Sequence, residues 1–478
     1  MQTEVWGVTM EEYIKKLLEQ VRFREAHQGI HDELKSHIED QIEANISGGM
    51  DEEAAEKRAV EDMGDPVATG IELDRVHRPQ IAWGVIIAAV LVGVIGIMIH
   101  TYIANDRLLT DILSEPFYTS GDRYFIIYTI LGIGAMLFMY LVDYTTVAKY
   151  SKVIATVSVA GYLITYYGSG MLYRIVAAKY EISGMESYEH VKQLNVLGDF
   201  LNSLVAFSFS MMFLLIPLYA GILYKYRGQS YGGLIKAILW IFVPRLIPFV
   251  SVRYYNMRAF IVVGSMLVQL TYAIKKGWIK VRKIPSIISI WLAYVLYLVY
   301  FIRTEVGGFM RSDRGEIKTI MNSMKIFGAG KIYTWGGTAS MRSRGCVSSP
   351  AGSYVLTYIS AAWGLVIGLA VVMIVAALIV FGFVSMAKSK NQLGQIMGCG
   401  CMMWIAVNAI ANIVVGFGIV PEFYASFFPF ISNNNIVISY VFLGVLISVY
   451  KYKDAYPQHV DIKARSNKEK RLQSLKDN

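Results

Sequence analysis

The chain has 478 residues, 55% of them hydrophobic and 17% charged, with a mean hydropathy of +0.44. This composition excludes an ordinary soluble globule and predicts an all-α polytopic membrane protein. The formal charge of +9 is unevenly distributed: residues 1–80 carry 9 Lys/Arg against 19 Asp/Glu (net −10), and the remainder 36 against 17 (net +19). Excess positive charge at membrane edges meets anionic headgroups, so membrane lipids are expected partners and nucleic acid is not. The 32 Tyr, 22 Phe and 8 Trp fit helix ends anchored at the membrane interface. Cys346, Cys399 and Cys401 are too few and too badly spaced for a disulfide framework or a zinc site. Cys399 and Cys401 read as small packing residues, and neither a metal nor a cofactor is expected.

Residues 1–80 are polar and read as a small cytoplasmic helical unit with no secretory signal. Thr9-Met-Glu-Glu12 is a capping box, followed at helical spacing by Tyr13, Leu17, Leu18 and Val21. A second helix is predicted from Ile30 to Ile46 on a stripe of Leu34, Ile38 and Ile42, ended by Gly48-Gly49. A third runs from Asp51 to near Met63, and Gly64-Asp65-Pro66 stops it and starts a fourth. His27, His31 and His37 lie among acidic residues, but Gly29 is expected to interrupt the helix between the first two, and all three read as solvated. The order of helices and the phrases SHIEDQIEA, AVEDMGDP and ELDRVHRP resemble the HAAS, or permease prefix, domain.

Apolar runs follow at 82–101, 124–142, 152–173, 203–223, 234–252, 259–274, 284–302, 354–384, 394–419 and 433–450. Ten spans, within a transmembrane domain of residues 81–450, put both chain ends on one side. Lys149, Lys152, Lys225, Arg227, the cluster Lys275, Lys276, Lys280, Arg282 and Lys283, Lys388, Lys390 and the basic tail 451–478 share that face. The positive-inside rule makes it the cytoplasm of a cell membrane. The long loop 303–353 is then external.

The last two spans carry Asn408 and Asn412 four apart on one helical face, where amides in lipid need partners on another helix or in a wet cavity. They continue with Gly418 and Pro421, then Pro429-Phe-Ile-Ser432. This pattern resembles the last two transmembrane helices of the FtsW/RodA/SpoVE (SEDS) family, although Asn433, Asn434 and Asn435 replace the family's usual Tyr-Gly-Gly. The second span ends in Asp143-Tyr144 as the corresponding SEDS helix does. There Asp143 reads either as an interfacial carboxylate near Lys149 or as one half of a specific pair. Asn322-Ser323 and Gly328-Ala-Gly330 resemble motifs of the family's long external loop.

The resemblance implies work in cell-wall synthesis linked to division, cell shape or sporulation. It implies a lipid-linked peptidoglycan precursor as ligand and a penicillin-binding-protein transpeptidase as partner. Glycosyl transfer needs a base for the attacking hydroxyl and cations for the departing diphosphate. At the position of the family's loop aspartate this chain has Ser353, which cannot act as that base near neutral pH; Glu305, Asp313 and Glu316 are the loop carboxylates that could substitute. Arg245, between Pro244 and Pro248, and Arg253 and Arg258 are candidate diphosphate ligands, with interfacial placement the plain alternative. Two readings therefore stand beside a degenerate polymerase: an active peptidoglycan glycosyltransferase, and a regulatory or scaffold protein signalling through its prefix.

Overall fold

The computed structural model describes residues 9–105, 121–182, 188–246, 253–303, 354–416, 427–432 and 435–460. Four helices open it: α1 (Met10–Leu18), α2 (His27–Ser47), α3 (Glu52–Asp62) and α4 (Pro66–His77). The capping box forms, with Glu12 N donating to Thr9 Oγ1 at 3.4 Å and Thr9 N to Glu12 Oε2 at 3.2 Å. Asp51 caps α3, and Asp65 caps α4 with Pro66 in its first turn. Tyr13, Leu17, Ile30, Ile38 and Val60 meet in a small core. Across it, Arg22 grips the nearly buried Asp74 at 2.7 Å, and this guanidinium holds the Asp74 carboxyl below the usual range.

Gly29 does not interrupt α2, contrary to the sequence expectation. A lone helical glycine costs only about 1 kcal/mol, and Pro457 packs where a side chain would stand, 3.4 Å from an ideal Cβ. His27 accordingly turns back to the Val21 carbonyl at 2.7 Å, and His31 lies between Glu11 and Asp32.

The apolar runs are helical wherever they are described: α5 (Trp83–Asn105), α6 (Gly121–Leu141), α8 (Ser151–Ile182), α9 (Tyr188–Met211), α10 (Leu215–Lys225), α11 (Tyr231–Leu246), α12 (Arg253–Lys275), α13 (Lys283–Phe301), α14 (Val355–Trp363), α15 (Leu365–Ala387), α16 (Gln392–Gly416) and α17 (Ile436–Lys451). The short α7 (Tyr144–Lys149) bends along the membrane edge between α6 and α8. Ile288, Leu292 and Leu296 form an outward stripe on α13, each more than half exposed. A surface of that kind needs lipid around it. Close approach is greatest between α6 and α17, where an added Cβ on Gly444 would lie 2.6 Å from the Met136 carbonyl oxygen.

Two expected spans are broken. The run 203–223 divides into α9 and α10 at a 3-10 turn, Met212–Leu214, because Pro217 has no N–H for the Phe213 carbonyl. The run 354–384 divides at Gly364, whose φ of +95° ends α14 and starts α15 in a new direction.

The strap after α17, residues 452–460, ties the two cores together. Gln80 N donates to Lys451 O at 2.8 Å, and Phe23 stacks on Tyr452 with ring centroids 5.5 Å apart. On the membrane side Lys390 N donates to Lys453 O, Asn391 Nδ2 to Pro457 O and the Tyr224 hydroxyl to Val460 O, at 2.7–2.9 Å. His77 is wedged against Asp454, and burial lowers its pKa.

Two outcomes follow from these contacts. Phe23→Ala removes an aromatic pair of about 1 kcal/mol and is expected to raise amide exchange in 452–460 several-fold while α5 and α17 stay protected, read by hydrogen–deuterium exchange of the full chain. Because Asp74 ionises more readily folded than unfolded, its contribution is present above about pH 4 and is lost as pH falls through its lowered value. Asp74→Asn should therefore unfold α1–α4 more readily at pH 7, and the gap from wild type should close in acid.

Candidate functional site

Ser353, Glu305, Asp313, Glu316, Asn322, Ser323, Gly328, Gly330, Gly418 and Pro421 lie outside the described residues. Arg245 falls in the last turn of α11, and Arg253 and Arg258 in the first two turns of α12. These two helices pack together as consecutive neighbours, so the backbone brings the three positions to one end of the pair. Their side chains lie outside the description.

Among the described residues, a buried junction forms where α5, α6, α14, α16 and α17 converge. Residues 427–432 form a buried turn in which Phe427, Phe428, Phe430, Ile431 and Ser432 are all 2% exposed or less. Phe428 N donates to Ser432 Oγ at 2.7 Å, and the turn closes with Phe430 at φ 66°. Pro429 sets the entry to that turn through its fixed φ. From α5, His100 Nε2 donates to the Ile431 carbonyl at 2.8 Å. Its ring lies 3.7 Å from that of Phe125 at 11°. A carbonyl only accepts, so the Nε2 proton is assigned by its partner.

Asn408 and Asn412 are buried on α16. Asn408 Nδ2 bonds within its own helix, to Trp404 O at 2.8 Å, whereas the spacing suggested a partner on another helix or a wet cavity. Four residues beyond Asn412, the Gly416 carbonyl receives the Thr357 hydroxyl at 2.6 Å. Thr357 lies in the first turn of α14, so this bond ties the helix that follows Ser353 to the end of α16.

At the opposite membrane face Asp143 is half of a specific pair. Its Oδ1 accepts from Thr145 N at 2.8 Å as the cap of α7, and its Oδ2 accepts from the Tyr456 hydroxyl. Burial and the neighbouring carboxylate raise the Tyr456 pKa, keeping it a donor. Lys149 instead lies over the Tyr150 ring. Cys399 and Cys401 are buried free thiols on α16, as packing residues should be.

Among the described residues this frame has no acid–base pair; its polar groups hold helices to one another. His100, Thr357 and Tyr456 are the members that sequence reasoning missed. A lone histidine in an otherwise apolar run was the available signal for the first, while the other two depend on partners 59 and 313 positions away. His100→Leu would leave the Ile431 carbonyl buried without its donor and is expected to cost about 1–3 kcal/mol, read as a lower unfolding midpoint in detergent. His100→Gln should recover part of the loss.

No protein-family model matches the chain, and no curated protein matches it. Among solved structures, it is similar at 11% identity to a chain from a structure described as "Structural coordination of polymerization and crosslinking by a peptidoglycan synthase complex". The match covers 79% of this chain and 98% of that one, with a TM-score of 0.48. Six described helices are long and apolar enough to cross a membrane, and three shorter apolar helices accompany them. The chain is an all-α polytopic membrane protein.

Proposed function

We propose that the chain is a SEDS-like protein of the bacterial cell membrane that binds a lipid-linked peptidoglycan precursor and works in cell-wall synthesis linked to division, shape or sporulation. The observation that carries this reading is the run from Asn412 to Ser432, which resembles the family's last two helices. Its described part is the end of α16, residues 412–416, and the buried turn 427–432, which receives His100 from α5. A turn buried at a five-helix junction, as 427–432 is, suits a scaffold that holds a membrane groove. In this reading both termini are cytoplasmic, Arg245, Arg253 and Arg258 neutralise the lipid diphosphate at the external edge, and loop 303–353 covers the groove.

The polymerase step is weakened or absent in this proposal. A sugar hydroxyl needs a base to accept its proton as it attacks the anomeric carbon while the diphosphate departs. Ser353 has no basic lone pair of suitable strength at neutral pH. A second reading, a regulatory or scaffold protein with a HAAS-like prefix, draws support from a different observation. The strap 452–460 bonds to Gln80 on one side and to the α15–α16 turn and α10 on the other, so displacement of α1–α4 is felt at the membrane edge. A penicillin-binding-protein transpeptidase remains the proposed partner in either case.

The deciding measurement is polymerisation of purified lipid-linked precursor by the detergent-solubilised full chain, with and without a co-expressed transpeptidase. No glycan from wild type and glycan from Ser353→Asp is the expected result. Glycan from wild type would overturn the degenerate site and direct attention to Glu305, Asp313 and Glu316. Loss of precursor binding in the wild type would overturn the precursor-binding proposal itself.

A further inference from the structure

Arg174 belongs to no motif used above. It lies on α8, whose 32 residues extend for about 48 Å at 1.5 Å per residue, well beyond a hydrocarbon core of about 30 Å. Counted from Ser151, beside Lys149 and Lys152 at one interface, Arg174 stands about 35 Å further along the axis, at the other interface. The antiparallel α9 packs against this length of α8, and the bond between Thr165 Oγ1 and Ser208 Oγ, at 2.7 Å, sets their register. Counting from that bond, Arg174 is level with Asp199, Asn202 with Met171, and Val205 lies about one turn deeper still.

A groove of about 760 Å³ opens between the two helices over this stretch. Its lining runs from Arg174 at the interface, through Leu201 and Asn202 about one turn deeper, to Val205 beyond them, with Ser169, Tyr166 and Tyr167 on the α8 side of the deeper part. Gly170, one turn from Arg174 on the same face, forms the floor, and nothing lies within 4 Å of the place where its Cβ would be. Among the described residues, neither the Arg174 guanidinium nor the Asn202 amide has an ion-pair or hydrogen-bond partner, and the exposed Asp199 nearby does not pair with Arg174.

A cation at the interface, with an amide donor and the apolar Leu201 and Val205 below it, follows the order phosphate, glycerol ester, acyl chain met on descending into a leaflet. A transmembrane partner helix would place apolar side chains at the level of Asn202. We propose that α8 and α9 form a binding site for an anionic phospholipid. Arg174 forks onto its phosphate, Asn202 donates to an ester carbonyl, and one acyl chain lies over Gly170 against Leu201 and Val205. The site is separate from the positions of Arg245, Arg253 and Arg258 and is independent of the reading given to them.

The test uses the full chain in phosphatidylcholine nanodiscs doped with a diazirine-bearing phosphatidylglycerol, with labelled peptides mapped by mass spectrometry. Labelling at the basic cluster 275–283 serves as the internal reference for fold and lipid access. The expected result is enriched labelling of 166–175 and 198–205. Loss of the charged hydrogen bond in Arg174→Gln, or filling of the floor in Gly170→Leu, should lower it about tenfold. Arg174→Lys should retain much of it. Gly168→Leu, a glycine also in open space but on another face of α8, should leave it near wild type. Equal labelling of wild type and Arg174→Gln would overturn the proposal, as would a diazirine-bearing diacylglycerol that labels the site as strongly.

Discussion

The side-chain amide of Gln269 is completely buried in the apolar body, and its two donor bonds show the constraint on which the whole arrangement depends. The nitrogen donates to the carbonyls of Ile216 on α10 and Ile396 on α16, at 3.0 and 3.2 Å. It reaches them because Gly400 leaves vacant the space its own side chain would occupy. In lipid no water compensates a polar group, so a bonded amide such as that of Gln269 commits its helix to particular neighbours at a particular height. Trp291 with Thr271, and Tyr272 with Gln395, repeat the device along α12 at 2.8 and 2.9 Å. Apolar packing alone would let these helices slide, since lipid tails are as apolar as the side chains they replace.

The same constraint explains where the helices break. Pro217 offers the Phe213 carbonyl no donor from the next turn, and the chain responds with a single 3-10 turn in which Met212 and Phe213 are buried. At Gly364 the break lets α14 leave the line of α15 and present Thr357 to the end of α16. The buried turn at 427–432 satisfies its own backbone through Ser432 and borrows a donor from His100 on a helix 331 positions earlier. Among the described residues, these breaks lie in protein-enclosed places, and at 427–432 side chains supply the partners.

At the other membrane face, the acidic α1–α4 unit is joined to the body through the strap that follows α17. Phe23, Gln80 and His77 approach this strap from one side, and Asp143, Asn391 and Tyr224 from the other. The arrangement gives a physical route between a prefix event and the ends of α6, α10 and α16, by rigid contact and not by a flexible tether. A tether of polar residues would carry no such coupling. The strap therefore holds the prefix against the membrane domain by direct contacts.

Much of this was legible in the chain. Composition and ten apolar runs determined the all-α membrane class, because length and hydropathy suffice to specify a helix that crosses lipid. Thr9, Asp51 and Asp65 announced their helices through local caps, whose physics acts over three residues. The clustering of Asn412, Pro429 and Ser432 marked the junction of the last two spans. Tertiary structure alone decided the rest. Gly29 stays helical because Pro457, over 400 residues away, fills its missing side chain. Asp143 found Tyr456 and not Lys149, and Asn408 turned to its own helix because each bond is set by which groups packing brings within 3 Å. No periodicity in a single helix records the height of its neighbour, so the groove beneath Arg174 emerged only when the register of α8 and α9 was known.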